Sequence, residues 1–129
     1  MEREWPFLNL WNKRMKKQIH TIDATNKPLG RLAVQVSELL RGRQRPDYVP
    51  YLDMGDEVVV TNIKQIRITG QKLTQKMYRH HSGYLGGLKE KTLGKMMQET
   101  PGEALRKAVM GMLPKNKLRN QQIKRLRFE

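Results

Sequence analysis

The chain has 129 residues, enough for one domain with a modest core and little room for a second. Lys and Arg number 26 against 12 Asp and Glu, giving a net charge of +14 and a pI near 10.4; an excess of that size repels itself in a compact fold and points to a polyanionic partner. There is no cysteine, which excludes disulfides, thiolate nucleophiles and cysteine-based zinc or iron–sulfur sites, and no apolar run approaches the ~20 residues needed to span a bilayer.

Residues 1–15 read as an N-terminal extension, a short amphipathic stretch carrying Trp5, Phe7, Leu8, Leu10 and Trp11. It would either tuck its aromatics onto the domain or insert them against a partner. Glu2, Arg3, Glu4, Asn9 and Asn12 interrupt any secretory apolar core. Residues 16–129 read as a single domain.

Lys17 to Asp23, with β-branched Ile19, Thr21 and Ile22, predicts a strand. Thr25 to Pro28 gives a turn and a helix start, with Pro28 near the first helical position. Leu29, Leu32, Ala33, Val36, Leu39 and Leu40 then recur at helical spacing, and Gly42 is placed to end that helix in the left-handed conformation. From Arg41 to Tyr51 two prolines forbid regular structure. Arg41, Arg43 and Arg45 alternate there with Gly and Gln, and Tyr48 and Tyr51 follow. Arginine forks fit phosphate oxygens and tyrosine faces stack on bases, so this loop is an expected RNA contact. Its three arginines are expected to be replaceable together without loss of the fold.

The β-branched run in Glu57 to Asn62 predicts a strand buried on both faces, as in a parallel sheet. Gln65 to Gly70 alternates and predicts a further strand or strand-like turn. Strand, helix, strand implies a right-handed βαβ unit and an α/β sandwich.

Arg79-His80-His81-Ser82-Gly83-Tyr84-Leu85-Gly86-Gly87-Leu88-Lys89 is too rich in glycine, and too charged at its edges, for a core element. Glycine permits positive φ and close backbone approach to a partner, Tyr84 has a face to stack, and Arg79, His80, His81 and Lys89 supply donors. The segment suits an RNA-facing loop. Thr92 is placed to cap a short helix through Leu93, Met96 and Met97. Thr100-Pro101-Gly102-Glu103 fits a capping box before Leu105, Ala108, Val109 and Met112, and Pro114 ends that pattern. The methionines are expected to fill gaps in the core. From Lys115 onward acidic residues vanish until Glu129. Lys115, Asn116, Lys117, Arg119, Lys124, Arg125 and Arg127 form a basic strip whose interspersed Leu118, Ile123 and Leu126 could pack on the domain.

The chemistry of a catalyst is absent from the pattern. Ser37 falls in the first helix, and Ser82 lacks the small-residue frame of a hydrolase elbow. Adjacent His80 and His81 point to opposite faces of a strand and have no neighbouring carboxylates, so no metal site is expected. The glycine-rich segment does not end in the Gly-Lys-Ser/Thr of a phosphate loop, and the first strand is followed by a single glycine rather than a dinucleotide fingerprint. No cofactor is expected.

Five segments together resemble the large-subunit ribosomal protein family L-thirteen. They are Asp23-Ala24 with Leu29-Gly30-Arg31-Leu32-Ala33, Gly55 to Asn62, Thr69-Gly70-Gln71-Lys72, His81 to Lys89, and Ala108 to Lys115. The resemblance covers the chain from Ile22 onward. It implies a three-layer α/β/α fold around a four-stranded, mainly parallel sheet, and a structural, non-enzymatic role in the large ribosomal subunit. It also implies binding to the large-subunit ribosomal RNA from early in assembly, contact with neighbouring ribosomal proteins, and residence on a cytoplasmic ribosome or an organellar one. Some members also bind messenger RNA and repress translation. The expected RNA contacts are Arg41, Arg43 and Arg45, then Arg79, His80, His81, Tyr84, Gly86, Gly87 and Lys89, then the C-terminal strip. Two departures carry expectations of their own. Where the family reads Leu-Gly-Arg this chain has Leu118-Arg119-Asn120, which would change the turn there. The family also continues past the position of Phe128, so contacts made by that tail are expected to be missing.

Overall fold

A computed structural model describes residues 17–129; the expectation for the N-terminal extension lies outside the described residues. β1 (Ile19–Asp23) leads through a turn into α1 (Leu29–Arg41), and the chain returns as β2 (Glu57–Thr61). β1 and β2 are parallel neighbours in register Ile19↔Glu57 to Asp23↔Thr61. The C-terminal β5 (Leu126–Phe128) completes the sheet on the other side of β2, again parallel. Between β2 and β5 run a 3-10 turn (Ile63–Gln65), α2 (Lys72–Gln75), β3 (Met77–His81), β4 (Leu88–Thr92), α3 (Leu93–Glu99), α4 (Pro101–Met112) and α5 (Arg119–Ile123).

The expected four-stranded, three-layer sandwich is therefore corrected. The parallel sheet has three strands in the order β1-β2-β5, and β3 and β4 form a separate antiparallel hairpin. Gln65 to Gly70 supplies no strand; the turn before it and a single bridge from Pro28 to Arg67 hold it instead. Register places Ile22, Val60 and Phe128 on one face of the sheet, together with Val58 and Leu126. That face meets α1 and α4, which pack on each other, and the core gathers Leu32, Val36, Leu40, Leu105 and Val109 around Val58 and Val60. On the opposite face Thr21 and Arg127 are exposed and Val59 is half-buried, so among the described residues the helices cover one face only. The valine run reflects a central strand shielded sideways by two neighbours rather than one buried from above and below.

The helix ends follow local chemistry in most places. Gly42 takes φ +78°, and its N–H donates to the carbonyls of Glu38 and Leu39. The Thr92 hydroxyl accepts from the Lys95 N–H and caps α3. Thr100 precedes α4 with Pro101 at its first position, but its side chain makes no capping bond, so the expected capping box is not formed. Met54 and Met96 are buried as gap-fillers, whereas Met77 and Met112 are exposed. A smaller apolar cluster of Leu93, Met96 and Ala104, joined by Ile68, Tyr78 and Met97, carries the hairpin.

Candidate nucleic-acid interface

The glycine-rich segment is a hairpin, with the irregular loop confined to its tip. Arg79, His80 and His81 belong to β3 and pair across the ladder with Glu90, Lys89 and Leu88. Alternation along the strand separates Arg79 and His81 from Tyr78 and His80, and Tyr78 is the residue that packs against the small apolar cluster. The ladder is tied at its base, where the Leu93 N–H donates to the Lys76 carbonyl, and ends in a turn where the Ser82 N–H donates to the Gly87 carbonyl. Gly83 and Gly86 hold φ at +87° and +72°, a region costly for residues with a Cβ. Gly87 has ordinary φ, but a Cβ there would collide with the Ser82 hydroxyl and approach the Tyr84 carbonyl oxygen to 2.9 Å. His81 organises this turn: its Nδ1 accepts from the Gly83 N–H at 3.0 Å, leaving Nε2 outward. At the summit Tyr84 is 80% exposed and Leu85 fully so. Leu85 was not among the expected contacts; the signal for it was an apolar residue enclosed by glycines in a charged segment.

The arginine loop is built differently. Asp56, 1% exposed, gathers a backbone N–H from Gln18 (3.1 Å), the His20 ring Nε2 (2.9 Å), the Gln44 amide (2.8 Å) and the Arg45 guanidinium. Burial alone would raise its pKa; the bonds from His20, Gln18 and Arg45 outweigh that and hold it below the ordinary carboxylate value. Arg41 lies over the Tyr48 ring at 5.9 Å and donates to its hydroxyl at 3.1 Å. Arg43 is exposed and in no ion pair among the described residues, and Tyr51 is exposed further along the same segment. The expectation that all three arginines can be removed without structural cost is thus corrected: Arg45 compensates a buried carboxylate.

The C-terminal strip also divides. Arg125 is buried, with its guanidinium forked onto Asp53 at 2.6 Å on both arms and donating to the Leu40 carbonyl at 2.8 Å. Its place among the RNA contacts is corrected: it ties β5 to the arginine loop. The Asn116 side-chain oxygen accepts from the N–H groups of Leu118 and Arg119 and starts α5. Arg119 is helical, so the chain turns there without the glycine that the family pattern supplies. Lys115, Lys117, Lys124 and Arg127 are exposed, Arg127 lying 3.5 Å from Glu57. Leu126 is buried and Leu118 and Ile123 half-buried, so the strip is fastened by its apolar residues as anticipated. Among the described residues, no group of three or more His, Cys, Asp or Glu side chains is placed to hold a metal, and no helix is long and apolar enough to cross a membrane.

The family model for ribosomal protein L13 matches residues 17–128. The chain belongs to that family. Its relatives include the large ribosomal subunit protein uL13 of Rubrobacter xylanophilus, 48% identical over 114 residues, which are 88% of this chain and 80% of the relative. The uL13 proteins of Syntrophus aciditrophicus and Ralstonia pickettii are each 50% identical, over 86% and 88% of this chain and 78% and 80% of their own lengths.

Proposed function

We propose that this chain is a structural constituent of the large ribosomal subunit, that it binds large-subunit ribosomal RNA without catalysing a reaction, and that it supports early assembly alongside neighbouring ribosomal proteins. The observation that carries the reading is the hairpin tip. An aromatic ring and a bare leucine stand exposed on a turn that is held by its own hydrogen bonds, with Arg79, His80, His81 and Lys89 on the strands below. A rigid apolar tip in a cationic setting suits RNA, whose phosphates take the charges and whose unstacked bases take the rings. Arg43, Lys115, Lys117, Lys124 and Arg127 extend the electrostatic footprint, while Gly86 and Gly87 keep the tip narrow.

The mechanism is counterion release and shape fit. If about six phosphates are neutralised, affinity for the isolated RNA falls by ~10³ between about 50 and 200 mM salt, a scaling taken from duplex DNA. Filter binding across that range tests it, and an affinity indifferent to salt refutes it. Quantitative mass spectrometry of gradient-purified large subunits tests the location: near-stoichiometric retention supports the structural reading, and migration with free RNA favours a regulatory messenger-RNA role instead.

A further inference from the structure

A groove of about 620 Å³ opens between the start of α1, the segment 67–78 and the end of α4, a size within the usual range of roughly 300–1,000 Å³ for ligand clefts. Five cations line it, Arg31, Arg67, Lys72, Lys76 and Lys107, with no acidic residue among them. All five are exposed, and none is in an ion pair among the described residues. Elsewhere five acids sit close to cations: Asp56 by Arg45, Asp53 by Arg125, Glu90 by Arg79, Glu99 by Lys91 and Glu57 by Arg127. Among the described residues, no ion pair compensates this concentration of positive charge. Its floor is apolar, with Leu29, Ile68, Ala108 and Met112, and Tyr78 is half-buried with the ammonium groups of Lys76 and Lys107 at 5.8 and 5.0 Å from its ring centre.

The glycines give a second, independent observation. Of the ten in the chain, Gly42, Gly70, Gly83 and Gly86 have positive φ, and a Cβ at Gly55, Gly87, Gly94 or Gly102 would meet a neighbour at 3.0 Å or closer. Gly30 and Gly111 have neither reason: φ is ordinary and an added Cβ meets nothing within 4 Å. Both lie in helices, Gly30 second from the start of α1 and Gly111 second from the end of α4, where glycine is not a favoured helix former, and both line this groove. Bare backbone on both sides of an open cleft fits something absent from the isolated chain that approaches closely.

We infer that the groove is a second RNA site, separate from the hairpin tip, that takes a single-stranded segment of ribosomal RNA. Phosphates run along the five cations while one or more unstacked bases lie on the apolar floor between Gly30 and Gly111. A paired helix would offer mainly phosphates and 2′-hydroxyls and leave that floor unused. The inference rests on the RNA-binding reading above.

The test adds bulk without touching charge. Gly30→Leu and Gly111→Leu, singly and together in the full chain, fill the groove and should not lower the melting temperature. For isolated large-subunit ribosomal RNA the expected result is an affinity loss of roughly tenfold, the scale of one lost base stack, with an unchanged salt slope. Wild-type binding with unaffected variants overturns the groove and leaves the RNA reading standing; a wild-type chain that does not bind the RNA overturns both. Variants that keep RNA affinity but drop out of reconstituted subunits assign the groove to a neighbouring protein and overturn the RNA assignment. Ultraviolet cross-linking of the wild-type complex is independent of the variants' folding. An RNA adduct on Tyr78 or Met112 supports the inference, and a cross-link map that avoids residues 67–78 and 107–112 refutes it.

Discussion

Replacing Asp53 by Ala separates the structural cations from the ones that face a partner. Arg125 and Asp53 side chains are 9% and 19% exposed, so solvent screens their fork little. The two 2.6 Å bonds are the only carboxylate contacts of that guanidinium among the described residues, and its Nε already lacks a partner. Removing Asp53 leaves a buried cation with the Leu40 carbonyl alone, a change that costs about 3–5 kcal/mol when one member of a buried pair is lost. At about 4 °C per kcal/mol for a domain of this size, the melting temperature should fall by roughly 12–20 °C. The double variant Asp53→Leu with Arg125→Met removes both charges and should recover most of that loss, since apolar groups replace buried pairs at little cost. Thermal and urea unfolding of the parent, the single variant and the double variant measures both changes. A loss below about 1 kcal/mol for the single variant would mean that the pair behaves like a surface contact, and the reasoning would fail. The double variant should also bind ribosomal RNA as the parent does; weaker binding with a shallower salt slope would return Arg125 to the RNA contacts.

Gly86→Ala puts a Cβ at φ +72°, a strain of about 1–2 kcal/mol that should lower the melting temperature by roughly 4–8 °C, and Gly87→Ala collides with Ser82; each should distort the tip and weaken RNA binding, and parent-like binding by both would make the tip irrelevant. Arg43→Ala should keep the fold and reduce the salt slope by about 0.7–0.9, whereas Arg45→Ala should lower the melting temperature by exposing the cost of burying Asp56. Equal behaviour of the two would contradict the loop geometry. Asp23 titrates at about 2 rather than 3.8, because its carboxylate accepts from the Thr25 hydroxyl, the Asn62 amide and the Thr25 N–H. Its folded value is depressed, so its contribution is complete above 3.8 and disappears as pH falls toward 2. A carboxyl carbon titration by NMR with a midpoint near 3.8 would show those bonds to be absent in solution.

The parts legible in the sequence are those whose cause is local. The stripe from Leu29 to Leu40, the αL stop at Gly42, the Thr92 cap and the valine run each carry their determinant within a few residues, and each became the expected element. The sheet was misread because parallel pairing is decided at a distance. β5 is three residues inside a basic run, a strand only because Val58, Val59 and Val60 lie beside it. β3 and β4 carry no apolar alternation because the ladder they make is mostly exposed, and their arginine, lysine and histidine content reads as loop. The same limit divided the candidate site. Arg125 reads as one more cation until Asp53, 72 residues earlier, is beside it, and the groove exists only where three segments converge.

The placement of acids gives these observations a common physical reason. Asp53 and Asp56 neutralise Arg125 and Arg45 inside the fold, where screening is weak, and the exposed pairs at Glu57, Glu90 and Glu99 sit where salt weakens them. Among the described residues, cations outside those pairs gather on the C-terminal strip and in the groove, with Arg43 in the arginine loop. Salt should therefore act with opposite signs on two measurements. Added salt screens self-repulsion among the surface cations and leaves the buried pairs intact, so the melting temperature of the free protein should hold or rise. The same salt competes for the phosphates, so RNA affinity should fall steeply. Parallel decline of both would mean that the exposed ion pairs hold the fold, and that the division between structural and partner-facing charge is wrong.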